Sequence, residues 1–108
     1  MKAVLCSQYC GPDDLVLTEV PDPVAEAGQA VIAIKSAALN FFDLLMIQGK
    51  YQIKLPFPFS PAAEVAGVIE SVGAGVTELK VGDRVVASCG HNGAREKIAL
   101  PANSIVRI

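Results

Sequence analysis

The stretch Ala38-Leu39-Asn40-Phe41-Phe42-Asp43-Leu44-Leu45-Met46-Ile47-Gln48-Gly49-Lys50-Tyr51 predicts the one firm helix in a chain that otherwise consists of short β-type runs. Asn40 is a good N-cap residue, because its side-chain oxygen can accept a free backbone N–H of the first turn. Asp43 places a carboxylate near the positive end of the helix, and Gly49 is a natural C-terminal stop. The apolar face of the helix is predicted to consist of Phe41, Leu44, Leu45 and Ile47. We expect the helix to display an amide and a carboxylate at its start and Tyr51 just past its end, and these three groups form a first candidate site.

Composition indicates one compact domain over residues 1–108, with 52% hydrophobic and 19% charged residues. This apolar excess suggests that part of the surface is covered by a second domain or subunit. Nucleic acid is an unexpected partner, because the net charge is −2 and Lys and Arg form no cluster. Membrane insertion is also unexpected, since no apolar run approaches the roughly 20 residues that span a bilayer. We expect a cytoplasmic protein.

The three cysteines, Cys6, Cys10 and Cys89, form no Cys-x-x-Cys pair and have one distant histidine, His91. A disulfide framework or a four-ligand zinc site needs more ligands at closer spacing. We therefore expect ordinary reduced thiols, with a redox role for Cys89 as the alternative.

Short β-type runs separated by Gly and Pro turns predict a mainly β fold with one or two short helices. The first two runs, residues 3–7 and 15–20, are expected to form a hairpin. Gly67 lies inside the longest run, residues 64–72, and so predicts a bend or a close backbone approach. Further runs are expected at residues 30–35, 85–88, 96–100 and 104–108. The predicted architecture is a partly open β-barrel with the helix at its mouth.

Several other residues have both a structural and a functional interpretation. Phe57 and Phe59 lie in a proline-rich loop, where they either line a pocket for a flat ligand or close the edge of the core. Glu64 begins a buried strand, so it either faces a ligand or is a structural partner for Arg84 or for a backbone turn. Tyr51 is a candidate hydrogen-bond donor to a substrate carbonyl, or else a rim residue. His91 is expected to be an exposed loop residue.

Motifs for two common enzyme classes are missing. Gly73-x-Gly75 lacks the third glycine of a dinucleotide fingerprint, because Glu78 occupies that position, and no helical pattern follows. A serine hydrolase is equally unsupported, since there is no Gly-x-Ser-x-Gly elbow and only one histidine.

A series of ordered landmarks covers essentially the whole chain. They are Cys10-Gly11-Pro12, Leu39-Asn40-x-x-Asp43, Gly49-x-Tyr51, Pro56-Phe57-Pro58, Glu64-Val65-Ala66-Gly67-Val68-Ile69, Val72-Gly73-x-Gly75-Val76-Thr77, Lys80-Val81-Gly82-Asp83-Arg84-Val85 and Pro101-Ala102. With these landmarks the chain resembles the N-terminal GroES-like domain of medium-chain dehydrogenases/reductases, specifically the zinc-free quinone oxidoreductase (zeta-crystallin-like) branch. The expected fold is therefore a GroES-like partly open β-barrel.

Two positions carry the branch assignment. Zinc-dependent alcohol dehydrogenases of this family have a cysteine where this chain has Asn40, and Gly-His-Glu where it has Ala62-Ala63-Glu64. Because thiolate and imidazole ligands are both missing, the resemblance implies no zinc. The chain departs from the family in Pro61-Ala62, where Pro-Gly is usual, and in Gly93-Ala94-Arg95-Glu96-Lys97, where relatives have two aromatic residues.

The resemblance implies hydride transfer from NADPH to a quinone or an α,β-unsaturated carbonyl, in a cleft shared with a Rossmann domain. By this resemblance Asn40 and Tyr51 are candidate catalytic residues, and Asn40, Phe42 and Asp43 border the cofactor. Tyr51, Phe57, Phe59 and Glu64 are the candidate substrate-pocket residues.

Members of this family are about three times as long, because the Rossmann domain follows Pro101-Ala102. We therefore expect the chain to be the substrate half of a longer, homo-oligomeric enzyme, inactive when isolated. A stand-alone GroES-like interaction module is the alternative from another class, and a zinc-dependent dehydrogenase is a third hypothesis.

Overall fold

The computed structural model describes all residues from 1 to 108. It contains seven strands, one α-helix and two short 3-10 turns, at Pro12–Asp14 and Ala102–Ser104. The strands and the helix are β1 (Lys2–Leu5), β2 (Val16–Glu19), β3 (Gln29–Ala38), α1 (Phe41–Gln48), β4 (Glu64–Val72), β5 (Arg84–Ser88), β6 (Lys97–Pro101) and β7 (Ile105–Arg107). The predicted mainly β fold is confirmed, and α1 is too short to cross a membrane.

The strands form a curled five-stranded sheet, in the order β6-β3-β4-β5-β7, and a separate hairpin of β1 and β2. Every neighbouring pair is antiparallel. The long β3–β4 pair has register shifts between Val31 and Ile32 and between Ile34 and Ser36, which increase the local twist. This half-barrel confirms the predicted GroES-like architecture.

Gly67 shows why the two central strands come so close together. A Cβ at this position would overlap the carbonyl oxygen of Ala33 and lie 2.8 Å from Cγ2 of Ile32. The predicted close backbone approach is confirmed, because only a residue without a side chain fits there.

Two hydrophobic clusters stabilise the fold. The sheet core is the larger and contains ten buried residues, all aliphatic: Ala30, Ile32, Val65, Ile69, Leu79, Val85, Ala87, Ile98, Ala102 and Ile105. The helix cluster contains four buried residues, Cys6, Met46, Ile47 and Phe59. It lies between the end of β1, helix α1 and the proline-rich loop, next to the candidate site residues.

Helix α1 begins and ends where the sequence predicts. Asn40 occupies the N-cap position, and Gly49 ends the helix in the left-handed conformation at φ +72°. Two expectations about its faces are wrong. Phe41 is 72% exposed rather than buried, and Asp43 is 5% exposed rather than displayed to solvent.

Candidate functional site

The backbone and the side chain of Asn40 have different partners. Its backbone N–H donates to Oδ2 of Asp43 at 2.9 Å, and its carbonyl accepts the N–H of Asp43 at 3.0 Å. Its side-chain Nδ2 instead donates to Oε1 of Glu64 at 3.1 Å. The N-cap position is therefore as predicted, but the amide of Asn40 is directed toward β4 and lies at the surface.

Asp43 fastens the start of α1 to the loop before β4. While Oδ2 accepts the N–H of Asn40, Oδ1 accepts the buried N–H of Ala62 at 2.8 Å. Ala62 has φ +82°, a conformation that non-glycine residues rarely adopt. Asp43 thus stabilises a strained backbone turn two residues before Glu64. Its geometry is that of a positioning residue, because both of its oxygens already have partners.

Glu64 lies at the exposed first position of β4, opposite Ser88 of β5 and Ala38 of β3. Its partner is the amide of Asn40, so the predicted alternative of a pairing with Arg84 is wrong. The exposed position keeps the carboxylate hydrated, which removes the burial cost that the sequence suggested. The Asn40–Glu64 hydrogen bond brings together two of the predicted site residues.

Tyr51 lies beyond the end of α1 and is half-buried against the helix cluster. Its ring makes an edge-to-face contact with Phe42, with centroids 4.7 Å apart and planes at 78°. Lys54 donates from Nζ to the carbonyls of Gly49 and Tyr51, which closes the turn after the helix. The phenol oxygen makes no hydrogen bond within the chain, so the O–H remains available as a donor.

Phe57 and Phe59 have different environments, although they are two residues apart across a cis Phe57–Pro58 peptide. Phe59 is 2% exposed, in the helix cluster, while Phe57 is 41% exposed. Their rings stack with centroids 5.8 Å apart, and Phe57 also meets the ring of Tyr9 edge-on at 5.0 Å. The core interpretation therefore describes Phe59, and Phe57 keeps a face that a flat ligand can reach.

Two concavities border this region. The larger, about 500 Å³, is a groove between β3, β4, β5 and β7 with Glu64 and Ser88 at one end. The smaller, about 180 Å³, is an apolar pocket beside α1 that includes Asn40, Asp43, Leu15 and Leu39 in its lining. Asn40 and Glu64 therefore lie on the rims of different hollows and are joined by their hydrogen bond.

A polar cluster around Arg95 lies behind Phe59 and was not predicted from the sequence. Nη2 of Arg95 donates to the hydroxyl of Ser60 at 2.9 Å and to Oδ1 of Asn92 at 3.0 Å, while its buried Nε has no partner. His91 is half-buried with its ring 6.5 Å from that of Phe59, so the expected exposed position is wrong. Burial, and then the charge of Arg95, lower the pKa of His91.

The three cysteines are free thiols, as expected. Cys89 is half-buried, and its Sγ donates to the carbonyl of Ala62 at 3.5 Å. Burial raises the pKa of Cys89, which keeps the thiol protonated and weakly nucleophilic at neutral pH. The sulfur of Cys89 also lies against a backbone carbonyl rather than a second sulfur, so the structure gives no support to the alternative of a redox role for Cys89.

The predicted site residues thus fall into two groups. Asn40, Asp43 and Glu64 are joined by hydrogen bonds at the start of α1. Phe42, Tyr51, Phe57 and Phe59 belong to or border the helix cluster. Nowhere in the chain do three or more His, Cys, Asp or Glu side chains converge in a way that could hold a metal ion.

Comparisons with known proteins add a family to this geometry. Residues 26–107 match the model of the alcohol dehydrogenase GroES-like domain. The chain is 36% identical over 111 residues to a quinone oxidoreductase-like protein 2 homolog from Nematostella vectensis, which covers 99% of this chain and 29% of that protein. It is 40% identical over 96 residues to an alcohol dehydrogenase from Geobacillus stearothermophilus, which covers 84% of this chain and 28% of that protein.

Solved structures agree with this similarity. The quinone oxidoreductase from Thermus thermophilus, also determined in complex with NADPH, has a TM-score of 0.81 at 35% identity. The match covers 98% of this chain and 32% of that one. The chain therefore spans about a third or less of the length of these relatives. By its matched residues and its half-barrel, the chain belongs to the alcohol dehydrogenase GroES-like domain family of the medium-chain dehydrogenases/reductases, among whose members are the quinone oxidoreductases that it resembles.

Proposed function

We propose that this chain is the substrate-binding side of an NADPH-dependent, zinc-independent reductase that transfers hydride to a quinone or an α,β-unsaturated carbonyl. Its similarity to quinone oxidoreductases, one of them crystallised with NADPH, supports the reaction class. The observation that carries the proposal is the Asn40–Glu64 hydrogen bond at the start of α1. An amide and a carboxylate occupy positions where zinc-dependent relatives have a thiolate and a glutamate.

The donors at the start of α1 do not fit a tetrahedral zinc site. Zinc prefers thiolate, imidazole and carboxylate ligands, usually three from the protein in a catalytic site. Here Asn40 offers an amide, Ala63 offers nothing, and both oxygens of Asp43 already accept backbone N–H groups. Glu64 alone is available as a carboxylate. In this proposal, hydrogen-bond donors therefore polarise the substrate carbonyl in place of a metal.

NADPH supplies the hydride when it is bound. This chain has no glycine-rich turn followed by a helix to hold the cofactor's phosphates, so that task belongs to a Rossmann domain beyond the chain. What the chain offers is the exposed amide of Asn40, held by Glu64, with Phe42 two residues further along the chain. Asp43 orients Asn40 through the backbone of the first turn. Asn40 and Phe42 would border the nicotinamide of a bound NADPH, and Asp43 would set the position of Asn40.

Tyr51 is assigned as the donor to the substrate oxygen. Its ring is held by Phe42 and its O–H has no partner in the chain, which leaves the donor preorganised and unused. A donor placed in this way stabilises the negative charge that develops on the carbonyl oxygen as hydride adds. The exposed face of Phe57, supported from below by Phe59, suits stacking of a flat quinone ring. Glu64, at the start of β4 and hydrogen-bonded to Asn40, is assigned as a polar group of the substrate pocket.

Partners and location are part of the same proposal. The chain works with its own Rossmann domain in a longer, cytoplasmic enzyme that assembles as a homo-oligomer. Its small-molecule substrate is a quinone or an enone, and neither nucleic acid nor a membrane is a partner, given the net charge of −2 and the absence of a basic cluster.

A chimera tests the proposal directly. This chain replaces the matched segment of the Thermus thermophilus quinone oxidoreductase, and NADPH oxidation is followed with a quinone and with an enone. We expect turnover by the chimera that is unaffected by a zinc chelator, and none by the 108-residue chain alone. Turnover by the isolated chain, or loss of turnover in the chelator that is restored by zinc, would contradict the proposal.

The groove along β3, β4, β5 and β7 favours a second candidate, a non-catalytic interaction module. It holds about 500 Å³ and is lined mainly by small apolar residues such as Ala38, Ala66 and Val86. In the reductase, a second domain of the same enzyme covers this face. In the module, a separate protein does so, and the chimera then shows no reductase activity with either substrate.

A further inference from the structure

Two cysteines meet at the edge of the helix cluster. Cys6 follows β1 and Cys10 lies in the loop before the first 3-10 turn, and their sulfurs are 3.8 Å apart. This is van der Waals contact between two sulfur atoms that lie only four residues apart in sequence. The spacing matches no metal-binding or redox motif, so sequence alone gives no reason to pair them.

The two thiols differ in access. Cys6 is fully buried and its Sγ donates to the carbonyl of Gln8 at 3.1 Å, whereas Cys10 is half-buried. Burial raises the pKa of Cys6 to about 11, and the adjacent Cys10 adds to this effect. An oxidant from solvent therefore reaches Cys10 first, while the thiol of Cys6 lies beside it and is shielded from solvent by burial.

We propose that Cys6 and Cys10 form a redox-sensitive pair that closes to a disulfide when the protein meets a hydroperoxide. The sulfur of Cys10 attacks the peroxide oxygen, which releases water or an alcohol and leaves a sulfenic acid on Cys10. The sulfur of Cys6 then attacks that sulfenic sulfur and displaces water, so the S–S bond forms. In total, two thiols lose two electrons and two protons, and one peroxide is reduced.

The bond requires a small, local movement. The sulfurs must approach from 3.8 Å to about 2.05 Å, so the distance between them shortens by a little less than 2 Å. Cys6 is fixed by two backbone hydrogen bonds to Phe59, of 2.7 and 3.1 Å. Cys10 is tied to the end of α1 by its N–H, which donates to the carbonyl of Ile47 at 2.8 Å. Most of the movement therefore falls on the loop that carries Tyr9.

Peptide mapping tests the pair in the 108-residue chain. Trypsin leaves Cys6 and Cys10 together in residues 3–35 and places Cys89 in residues 85–95. After mild hydrogen peroxide, and then unfolding in denaturant with iodoacetamide, we expect residues 3–35 to lose two hydrogens and take no alkyl group, while residues 85–95 are still alkylated. Two of the three free thiols are thus lost, and dithiothreitol restores them.

Matched variants separate the pair from general oxidation. Cys89→Ser is expected to oxidise like the parent, and Cys10→Ser to leave Cys6 alkylatable under the same treatment. Oxidation of Cys10 only to sulfinic acid, a disulfide between two chains, or unchanged alkylation of residues 3–35 would each overturn the proposal. If Cys10→Ser does not fold, the parent chain and Cys89→Ser still show whether Cys6 and Cys10 form a disulfide within one chain.

Discussion

The sheet core and the helix cluster differ in what holds them together. The sheet core has ten buried aliphatic residues, eight of them on strands paired by antiparallel ladders. The helix cluster has four, two of them sulfur-containing and one aromatic, on a helix and two loops. Its elements are joined by a few specific contacts, such as the bonds from Cys6 to Phe59 and from Asp43 to Ala62.

This difference predicts that the sheet core contributes more to stability than the helix cluster does. A continuous aliphatic core on strands paired along their length resists local opening, whereas loops with few buried contacts open at a lower free energy. The candidate donors, Asn40 and Tyr51, both lie at the ends of α1 on the less constrained side. In the proposed reductase, the sheet is the rigid support, and the helix side carries the groups assigned to the substrate.

The largest expected effect is in the sheet. Gly67→Ala would drive a Cβ into the backbone of Ala33, so we expect a loss of about 4 kcal/mol or more in the free energy of unfolding, or failure to fold. Gly11→Ala on the helix side is the control, since its Cβ meets only Oδ2 of Asp14 at 3.7 Å. Urea denaturation measures the free energy of unfolding of both variants. Equal stability of Gly67→Ala and Gly11→Ala would contradict the assignment of Gly67 to a close backbone contact.

Truncation of one side chain in each cluster compares the cost of a cavity in the sheet core with its cost in the helix cluster. Ile69→Ala in the sheet core and Met46→Ala in the helix cluster both remove a buried side chain, and both should cost about 2–5 kcal/mol. We expect Ile69 near the upper end and Met46 near the lower end, because loops relax around a cavity more easily than paired strands. Leu17→Ala, at an exposed position, is the control in the same urea titrations. A larger loss at Met46 than at Ile69 would reverse the assigned roles.

Asp43 tests whether one carboxylate holds the helix side together. Asp43→Asn keeps the size but leaves one buried backbone N–H facing an amide N–H₂, so we expect a loss of about 1–3 kcal/mol. Asp14→Asn is the matched control, because Asp14 accepts the N–H of Gly11 at 3.2 Å at an exposed site. Urea denaturation should show a clearly larger change at Asp43, and equal changes would remove its positioning role.

Much of this arrangement could be predicted from sequence, for local reasons. The bounds of α1 follow from Asn40 and Gly49, and those of β4 from a continuous β-type run with Gly67 inside it. Caps, turns and strand runs depend on neighbouring residues, so one short window contains the necessary information.

The remainder depends on partners that are distant in sequence. Asp43 is buried because its oxygen meets the N–H of Ala62, 19 residues away, in a turn where the chain has alanine rather than glycine. Arg95 is held by Ser60 across 35 residues, which brings His91 out of solvent and against Phe59. Such contacts form only after the strands have assembled, so no local sequence pattern predicts them.

The smallest expected effect is a pH-dependent change in the free energy of unfolding, and it comes from an exposed carboxylate, Asp22. The N-terminal ammonium and then Lys97 lower the pKa of Asp22, which links the hairpin to β6. Because the folded state holds the carboxylate ionised, this stabilisation is present at neutral pH and is lost as the pH falls through the acidic titration of Asp22. Asp22→Asn should therefore lose slightly more stability at pH 7 than at pH 3 in low salt, relative to Asp13→Asn. A larger loss at pH 3 would contradict the sign, and high salt should shrink the difference.

The assignment of Tyr51 as the hydrogen-bond donor to the substrate carbonyl is tested by the effect of Tyr51→Phe on quinone reduction by the chimera. If the unpaired phenol beside Phe42 polarises the substrate carbonyl, kcat should fall by about 10- to 1000-fold with little change in the KM for NADPH. Tyr9→Phe, the other tyrosine, should retain full turnover, because the change keeps the ring that packs against Phe57 and Gly49 and that lies under Nζ of Lys54. Unchanged kcat in Tyr51→Phe would return Tyr51 to a packing role and contradict the account.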